Sequence, residues 1–346
     1  MMKRINVGVI GLGRAGWDMI CAELDLHPNQ YRIVAGCDVL KERRDKMAQR
    51  YNCKTYSRTS GLVADSDVEL VVVASRSVDH YKHAIAALKA GKTVFVEKPM
   101  CETYSQAVKM KQTAVKSGCG LYVRHNRRFE DGFMHIREVI ESGILGNVFM
   151  VKLRRNSFSR RNDWQTIKRF GGGQLLNWGP HVVDHALQFL DSPVVGMWSD
   201  LKRVAAVGDA EDHIKIILHG KNDRIVDLEI SGGAAISEPP YLVLGTKGGL
   251  KSDGYTIELR YLDPKQKLRN LRADADTPRS GYGNGEKLKW IEKVVTVKPK
   301  GPDSKKDIWG HLYDTIRRGK PFPIKLDEAV AVMRIISQAK QGTSFR

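Results

Sequence analysis

The sequence predicts a two-domain α/β protein. An N-terminal doubly wound parallel sheet precedes an α+β domain that carries a large, open, mostly antiparallel sheet. Up to about residue 124, short apolar runs alternate with helical patterns, and this alternation builds a parallel sheet. After residue 125, strand patterns follow one another across short turns, which is typical of antiparallel pairing. The 346 residues exceed one ordinary hydrophobic core, so we divide the chain into residues 1–124 and 125–346.

The composition is that of a globular protein, with 42% hydrophobic and 28% charged residues. No run of about 18 apolar residues is present, so no membrane span is expected. The first strand pattern begins by Ile5 and leaves no room for a signal peptide. We therefore expect a cytoplasmic protein with reduced thiols and without a disulfide framework or zinc site. The cysteines are scattered and lack a CxxC pair: Cys21, Cys37, Cys53, Cys101 and Cys119.

The net charge of +18 comes from 57 basic and 39 acidic residues. Nucleic-acid binding is not favoured, because Lys and Arg are spread along the whole chain and aromatic residues are not interleaved in one patch. The densest basic cluster lies just before a glycine run, where it favours an anionic substrate or a phosphate. That cluster comprises Arg154, Arg155, Arg160, Arg161, Lys168 and Arg169.

The first element is a β-branched apolar run over residues 3–10, followed at once by a glycine motif and a helical pattern over 15–26. A GxGxxG motif between a strand and a helix predicts a dinucleotide site in a Rossmann domain. The glycines allow a tight turn, backbone approach to a pyrophosphate and close helix packing, while the helix N-terminus offers free N–H groups. The motif residues are Gly11, Gly13, Arg14, Ala15 and Gly16.

The second strand pattern, 31–37, ends in Asp38. An acidic residue about 20 positions after the glycines accepts hydrogen bonds from the ribose hydroxyls and repels a 2′-phosphate. We therefore expect NAD. NADP is the alternative, because Arg43 and Arg44 lie close by in the sequence and an arginine can bind the phosphate.

The remaining N-terminal strands are predicted at 69–74, 93–96 and 120–124. One helix is predicted between the end of the strand at 69–74 and Lys89, and another over 103–117. The fourth strand ends in Glu97, Lys98 and Pro99. Ligands of open parallel sheets lie at the carboxyl ends of the strands, so Lys98 is aimed at the same crevice as the glycine motif. The proline rigidifies the turn that follows.

The second domain is predicted to begin with a helix over 131–142 and a long strand over 147–156. Its broad open sheet needs cover, so we expect a homodimer or homotetramer. The polar stretch 263–286 has the length of a lid or an interface element. A helix over 305–318 and a final helix over 326–341 close the chain, and the last one docks on the N-terminal domain. The other strands are predicted at 195–204, 213–218, 225–230, 241–245, 256–262 and 288–297.

The glycine run at 171–173 precedes a predicted helix to about residue 190. Asn177, His181 and His185 are spaced to share one face of that helix, and Asp184 is close enough to touch His181. A histidine in such company transfers protons near neutral pH. A buried structural histidine is the alternative. A metal site of His181, Asp184 and His185 is not favoured, because no Cys or Glu clusters with them.

Together these motifs resemble the Gfo/Idh/MocA family, the glucose-fructose oxidoreductase and inositol dehydrogenase group. The resemblance covers nearly the whole chain and implies an N-terminal Rossmann domain and a C-terminal α/β domain whose open sheet commonly forms the dimer interface. It also implies NAD- or NADP-dependent oxidation or reduction of sugars and cyclitols, with Lys98 and His181 catalytic. Its carriers are the motifs beginning at Gly11, Glu97 and Gly171.

Two positions depart from the family pattern. Asn177 stands where the family often has Asp, and being neutral it can only orient His181 or bind a substrate hydroxyl. Ser75 and Arg76 replace the usual Thr-Pro, although His80 keeps its place. The expected cofactor contacts are the glycine-motif residues with Asp38, Ser75, Arg76, His80, Glu97 and Lys98. The expected substrate contacts are Lys98, Asn126, Arg128, Trp164, Asn177 and His181.

The sequence thus predicts an enzyme that transfers a hydride between nicotinamide and a sugar-like carbinol carbon. His181 is the expected general base, Lys98 stabilises charge on the same oxygen, and Asn177 and Asp184 orient the reacting groups. A redox-neutral lyase or glycosidase with tightly held NAD is one alternative. A non-enzymatic dinucleotide sensor is another, motivated by the net charge and Asn177, although the presence of Lys98 and His181 argues against it.

Overall fold

The computed structural model describes residues 3–273, 286–298 and 307–345. Its N-terminal part contains a six-stranded, wholly parallel sheet in the order β3-β2-β1-β4-β5-β6. This confirms the predicted doubly wound sheet. The strand order reverses between β1 and β4, where such folds bind their ligands. The strands are β1 (Ile5–Ile10), β2 (Tyr31–Cys37), β3 (Lys54–Tyr56), β4 (Leu70–Val73), β5 (Thr93–Val96) and β6 (Leu121–Val123).

The helices of this part pack on both faces of the sheet. The segment after the glycine motif is a π-helical stretch, Ala15–Cys21, that continues into α1 (Ala22–Asp25). Sequence reasoning missed β3, α2 and α3. Helix α2 is mostly charged and buries only Met47, so it shows no apolar periodicity. The other helices are α2 (Lys41–Tyr51), α3 (Thr59–Ala64), α4 (Ser77–Lys89) and α5 (Tyr104–Ser117).

The second sheet has eight strands in the order β14-β13-β12-β11-β7-β10-β9-β8. Neighbouring strands are antiparallel except β7 and β10, which are parallel. This confirms the predicted, mostly antiparallel sheet. The glycine-rich β12 was not predicted. The strands are β7 (Val148–Asn156), β8 (Val194–Lys202), β9 (His213–Gly220), β10 (Ile225–Ser231), β11 (Tyr241–Gly245), β12 (Gly248–Ser252), β13 (Thr256–Leu262) and β14 (Trp290–Thr296).

Helices cover one face of this second sheet. Ile214, Ile216 and Leu218 point to that face from β9 and are fully buried, and most residues of the helix over them are buried too. On the opposite face, Trp198 of β8 is 55% exposed. The helices of this part are α6 (Asp131–Glu141), α7 (Gln174–Asn177), α8 (Gly179–Leu190), α9 (Ile308–Arg318) and α10 (Leu326–Ala339), with short 3₁₀ turns at Asn126–Phe129, Trp164–Thr166 and Lys168–Phe170.

The last two helices return to the N-terminal part. On α9, Trp309 is buried with its ring 5.0 Å from that of Phe95 and 5.5 Å from that of Tyr31. The Tyr31 hydroxyl donates to the Trp309 carbonyl at 2.7 Å. Helix α10 packs against both α5 and α8. The division of the chain at residues 124 and 125 stays a prediction.

Half of the predicted lid or interface element, residues 274–285, lies outside the described residues. Across the described ranges, no helix combines the length and the apolar character that crossing a bilayer needs.

Candidate active site

The three glycines of the N-terminal motif meet three different demands. Gly11 has φ of +90°, and a Cβ there would lie 2.6 Å from the Ser75 backbone. A Cβ on Gly16 would lie 1.8 Å from the Gly11 carbonyl oxygen. A Cβ on Gly13 would meet only the end of the Arg43 side chain, at 3.4 Å. The backbone at Gly13 is therefore open to a ligand, which fits the approach of a dinucleotide pyrophosphate.

Asp38 lies beside this turn and is buried. One carboxylate oxygen accepts from the Leu12 amide at 2.8 Å and the other from the Leu40 amide at 2.9 Å. The Arg43 guanidinium lies 3.3 Å from the same carboxylate, and Arg44 donates to the Asp38 carbonyl at 2.9 Å. The Asp38 carboxylate and the Arg43 guanidinium, the two groups expected to decide how the ribose is recognised, therefore lie side by side.

The residues after β4 tie strand ends together. The ring nitrogens of His80 lie 2.7 Å from the Pro99 carbonyl and 2.9 Å from the Ser75 carbonyl, and the Ser75 hydroxyl lies 2.9 Å from His83 Nδ1. His80 is buried, so we assign it the structural role of linking the ends of β4 and β5 in place of the predicted cofactor contact. Arg76 is exposed and reaches the Phe170 ring, 5.0 Å from its centroid.

Lys98 follows β5 and points across the crevice. Its Nζ donates to the Asn177 carbonyl at 3.1 Å, while its amide donates to the Glu97 carboxylate at 3.1 Å. That carboxylate also accepts from Arg124 at 2.7 Å. Burial lowers the pKa of Lys98, and the nearby positive charges of Arg127, Arg124 and Arg14 lower it further. Glu97 thus holds the loop in place, and this loop directs the Lys98 side chain across the crevice.

The glycine run brings the second domain to this crevice. Gly171 and Gly173 have φ of +71° and +104°, and a Cβ on Gly172 would lie 2.7 Å from the Ile167 backbone. The helix expected after them is broken. Asn177 ends α7, and α8 begins at Gly179, so Asn177 does not share a helix with His181. Its side-chain oxygen accepts from Gln165 at 3.3 Å.

His181 is buried in the first turn of α8. Neither of its ring nitrogens has a hydrogen-bond partner among the described residues, and Nδ1 is fully enclosed. Burial lowers the pKa of His181 well below 6.5, and the positive charges of Lys98 and Arg127 act in the same direction. His181 is therefore neutral at neutral pH and able to accept a proton. Buried groups left without a partner often serve a ligand.

The spacing of Asp184 predicted a contact with His181, but the structure shows a different partner. Both of its oxygens accept from the Arg128 guanidinium, at 2.6 and 2.7 Å. Arg128 also donates to Glu328 of α10 at 2.5 Å. Arg128 is buried, so it holds α8 and α10 together and is not free to reach a substrate. A bidentate arginine pair competes successfully with a weaker contact along the helix.

The metal alternative gains nothing from these contacts. His185 Nε2 lies 3.0 Å from the Arg127 carbonyl, and its ring stacks on Phe133 with centroids 3.9 Å apart. Within the described ranges, no three His, Cys, Asp or Glu side chains are grouped so as to hold a metal ion.

The other predicted substrate contacts are less informative, and two residues were missed. Asn126 and Trp164 are half-buried, and no described contact joins them to Lys98 or His181. His125 is buried beside the site with its Nδ1 unpartnered. It follows β6, a signal equivalent to the one that identified Lys98. Trp178 packs against His181 with ring centroids 5.9 Å apart, and no sequence signal marked it.

A doubly wound parallel sheet with a glycine turn at its switch point is the architecture of dinucleotide-binding domains. Comparison with known proteins agrees. Residues 5–125 match the oxidoreductase family with an NAD-binding Rossmann fold, and residues 133–251 match the GFO/IDH/MocA C-terminal domain. The chain belongs to the Gfo/Idh/MocA family of NAD(P)-dependent oxidoreductases.

Three similar proteins illustrate the range. The scyllo-inositol 2-dehydrogenase (NADP+) of Bacillus subtilis is 25% identical over 98% of this chain and 94% of its own length. The 2,7-anhydro-N-acetylneuraminate hydratase of Escherichia coli is 27% identical over 73% of this chain and 68% of its own. The crystal structure of an NAD-binding protein from Listeria innocua superposes with a TM-score of 0.81 at 22% identity, covering 98% of this chain and 97% of that chain.

Proposed function

We propose that this protein transfers a hydride between NAD and a hydroxyl-bearing carbon of a sugar, cyclitol or keto-sugar. The observation that carries the proposal is the convergence of two unlike groups from different domains. Lys98 bonds the carbonyl of Asn177, and the unpartnered His181 begins the next helix. The names of an inositol dehydrogenase and of other oxidoreductases among the relatives support the substrate class.

A nicotinamide dinucleotide held at the glycine turn beside Asp38 would supply the group that accepts or returns the hydride. His181 is neutral and takes the hydroxyl proton as general base. One Lys98 N–H is used by the Asn177 carbonyl, and a protonated amine has two more, which hydrogen-bond the substrate oxygen and stabilise its developing charge. Glu97, held by Arg124, keeps the lysine loop in position.

Absorbance at 340 nm tests the proposal. The purified protein is mixed with NAD, or separately NADP, and with a panel of sugars, inositols, uronic acids and sugar phosphates. We expect multiple turnovers with one substrate group and none with simple alcohols. A flat trace with every member, together with fluorescence showing that NADH binds, would contradict net oxidation.

We expect NAD to be preferred over NADP by about tenfold in kcat/KM, which corresponds to about 1.4 kcal/mol. The Asp38 carboxylate beside the glycine turn repels a 2′-phosphate. In Asp38→Ser this repulsion is gone while Arg43 remains, so the preference should move towards NADP. Adding Arg43→Ala should then remove the gain. A wild-type preference for NADP that Arg43→Ala abolishes would reverse the assignment, in line with the name of the B. subtilis relative.

The pH profile of alcohol oxidation should reflect the buried site. The pKa of His181 is lowered, so its neutral, proton-accepting form persists below pH 6.5. We expect kcat/KM to stay level as pH falls through 6.5 and to decline only below it. His181→Asn should remove this acid limb along with most activity. An acid limb centred above pH 6.5 would assign the proton transfer to another group.

A redox-neutral reaction is the second candidate, and the hydratase among the relatives favours it. A tightly held NAD would then take a hydride from a substrate carbon and later return it, and His181 and Lys98 would assist the elimination or addition of water in between. Such an enzyme retains its cofactor through the catalytic cycle. NAD that co-purifies, fails to exchange with added NAD and supports substrate conversion without net NADH would favour this candidate.

We also propose that two copies associate through the open face of the eight-stranded sheet. Strand register places Trp198, Ile217, Leu242 and Val294 on that face, and Trp198 and Val294 are 55% and 73% exposed. Light scattering should give the mass of a dimer or tetramer. Trp198→Glu should lower it towards that of one chain, and a wild-type monomer would contradict the proposal.

A further inference from the structure

Two arginines lie over one tryptophan at the edge of the site. The Arg155 guanidinium is 3.9 Å from the ring centroid of Trp178, and that of Arg127 is 4.4 Å from it. The same ring lies 5.9 Å from His181, so Arg155 is within about 10 Å of the proposed base. Stacking on an aromatic face fixes a guanidinium while leaving its N–H edge free to bind a ligand.

The charges near these arginines are not balanced. Glu97 is paired with Arg124, Glu130 with Arg127, and Asp184 with Arg128. Among the described residues, no carboxylate lies within ion-pair distance of Arg155 or Lys98. Arg155 and Lys98 therefore place positive charge at the crevice without a directly paired carboxylate. Burial lowers the pKa of Arg155 and the repulsion by Arg127 lowers it further, while Glu130 acts in the opposite direction.

Four other members of the basic cluster predicted from the sequence are engaged elsewhere. Arg154 points to the opposite face of the sheet and pairs with Asp227 at 2.9 Å. Arg161 pairs with Asp163 at 2.8 Å. Lys168 donates to the Ser344 carbonyl at 3.0 Å, and Arg169 lies over Phe170 at 4.8 Å. Arg155 is the member of that cluster that the structure places over Trp178.

We infer that Arg155, supported by Arg127 on the Trp178 ring, binds an anionic substituent of the substrate, a carboxylate or a phosphate. This inference rests on the proposed function and narrows its substrate class to acidic sugars or sugar phosphates. The reacting carbon lies between Lys98 and His181, and the anionic group lies at the far end of the same molecule. Tyr241 and Tyr255 stand near Arg155, and Tyr255 is 78% exposed at the solvent side of this subsite.

Matched substrates test the inference. Initial rates with saturating NAD are compared for glucose, glucuronate and glucose 6-phosphate, and for inositol and an inositol phosphate. We expect kcat/KM for an anionic member to exceed that of its neutral counterpart by about 10- to 100-fold, the worth of one charge-assisted hydrogen bond. A preference for glucuronate identifies a carboxylate, and one for a phosphate ester identifies a phosphate.

Variants locate the effect. Arg155→Met should remove the preference, mainly through KM, while neutral substrates stay within about twofold, and Arg155→Lys should keep part of it. Arg334→Met on the solvent side of α10 is the matched control and should change nothing. Calorimetry of glucuronate and glucose 6-phosphate binding to the protein–NADH complex supplies a readout without turnover.

The outcomes separate this inference from the proposed function. Turnover of neutral substrates without any anionic preference, or equal losses for neutral and anionic substrates in Arg155→Met, would overturn the inference and leave the function standing. Tight, Arg155-dependent binding of anions without hydride transfer would contradict the proposed function and leave the inference standing. If no anionic ligand turns over or binds more tightly than glucose, the inference is wrong.

Discussion

Replacing Lys98 with methionine is expected to lower kcat about 100- to 1000-fold, the range found when one preorganised donor to a reacting oxygen is removed. Methionine keeps the apolar stem that fills the crevice but cannot donate to the Asn177 carbonyl or to a substrate. Burial and the neighbouring arginines already destabilise the charged form of this lysine. We expect a lysine held at such an energetic cost to have a function. Steady-state rates at 340 nm give the effect on turnover.

Fluorescence titration with NADH supplies the complementary measurement for Lys98→Met. Affinity should be nearly unchanged, because the glycine turn and Asp38 belong to other loops. Lys89→Met is the matched control, since Lys89 is exposed at the end of α4. Loss of NADH binding with normal turnover of the remaining complex would assign Lys98 to the cofactor instead of the reaction.

Replacing Arg128 with methionine is expected to lower the free energy of unfolding by about 3–5 kcal/mol. The Arg128 and Asp184 side chains are 8% and 2% exposed, so removing the guanidinium leaves a buried carboxylate without its partner. The tie between α8 and Glu328 on α10 is lost as well. Urea unfolding followed by tryptophan fluorescence measures the change.

A second substitution distinguishes ion pairing from packing. Asp184→Leu added to Arg128→Met removes the stranded charge and should recover a large part of the loss, because an apolar pair can replace a buried ion pair. Arg137→Met breaks an exposed pair with Glu141 and should cost less than about 1 kcal/mol. Equal losses in the single and double variants would show that the arginine acts only by filling space.

The sequence predicted those parts of the fold that local chemistry specifies. Gly11, Gly13 and Gly16 could be assigned separate roles because each spacing has its own steric demand, and neighbouring backbone would exclude a Cβ at Gly11 and Gly16 but not at Gly13. Five of the six parallel strands were recognisable from their apolar runs, whereas β3, with the residues Lys-Thr-Tyr, was not. Helix α2 was not, because its charged surface hides the periodicity, and β12 was not, because its first two residues are glycine.

The site was harder to predict because its partners are distant along the chain. The spacing of Asp184 allowed a contact with His181, but the actual partner, Arg128, is 56 positions away and arrives through the packing of a different element. The break between α7 and α8 at Trp178 did have a local signal, because Pro180 in the first turn of α8 marks the start of a new helix. Residues at strand ends, such as Lys98 and His125, are the ones that sequence reasoning can reach.

The position of Trp309 has a consequence for how the chain matures on the ribosome. The face of the first sheet that contains Tyr31 and Phe95 is completed by α9, which is synthesised after the entire second sheet. Because translation adds about 5–20 residues per second, that apolar face waits roughly ten seconds or more for its partner. The nascent first domain therefore presents a surface to chaperones until the last helices emerge, and a fragment ending before α9 would keep that surface permanently.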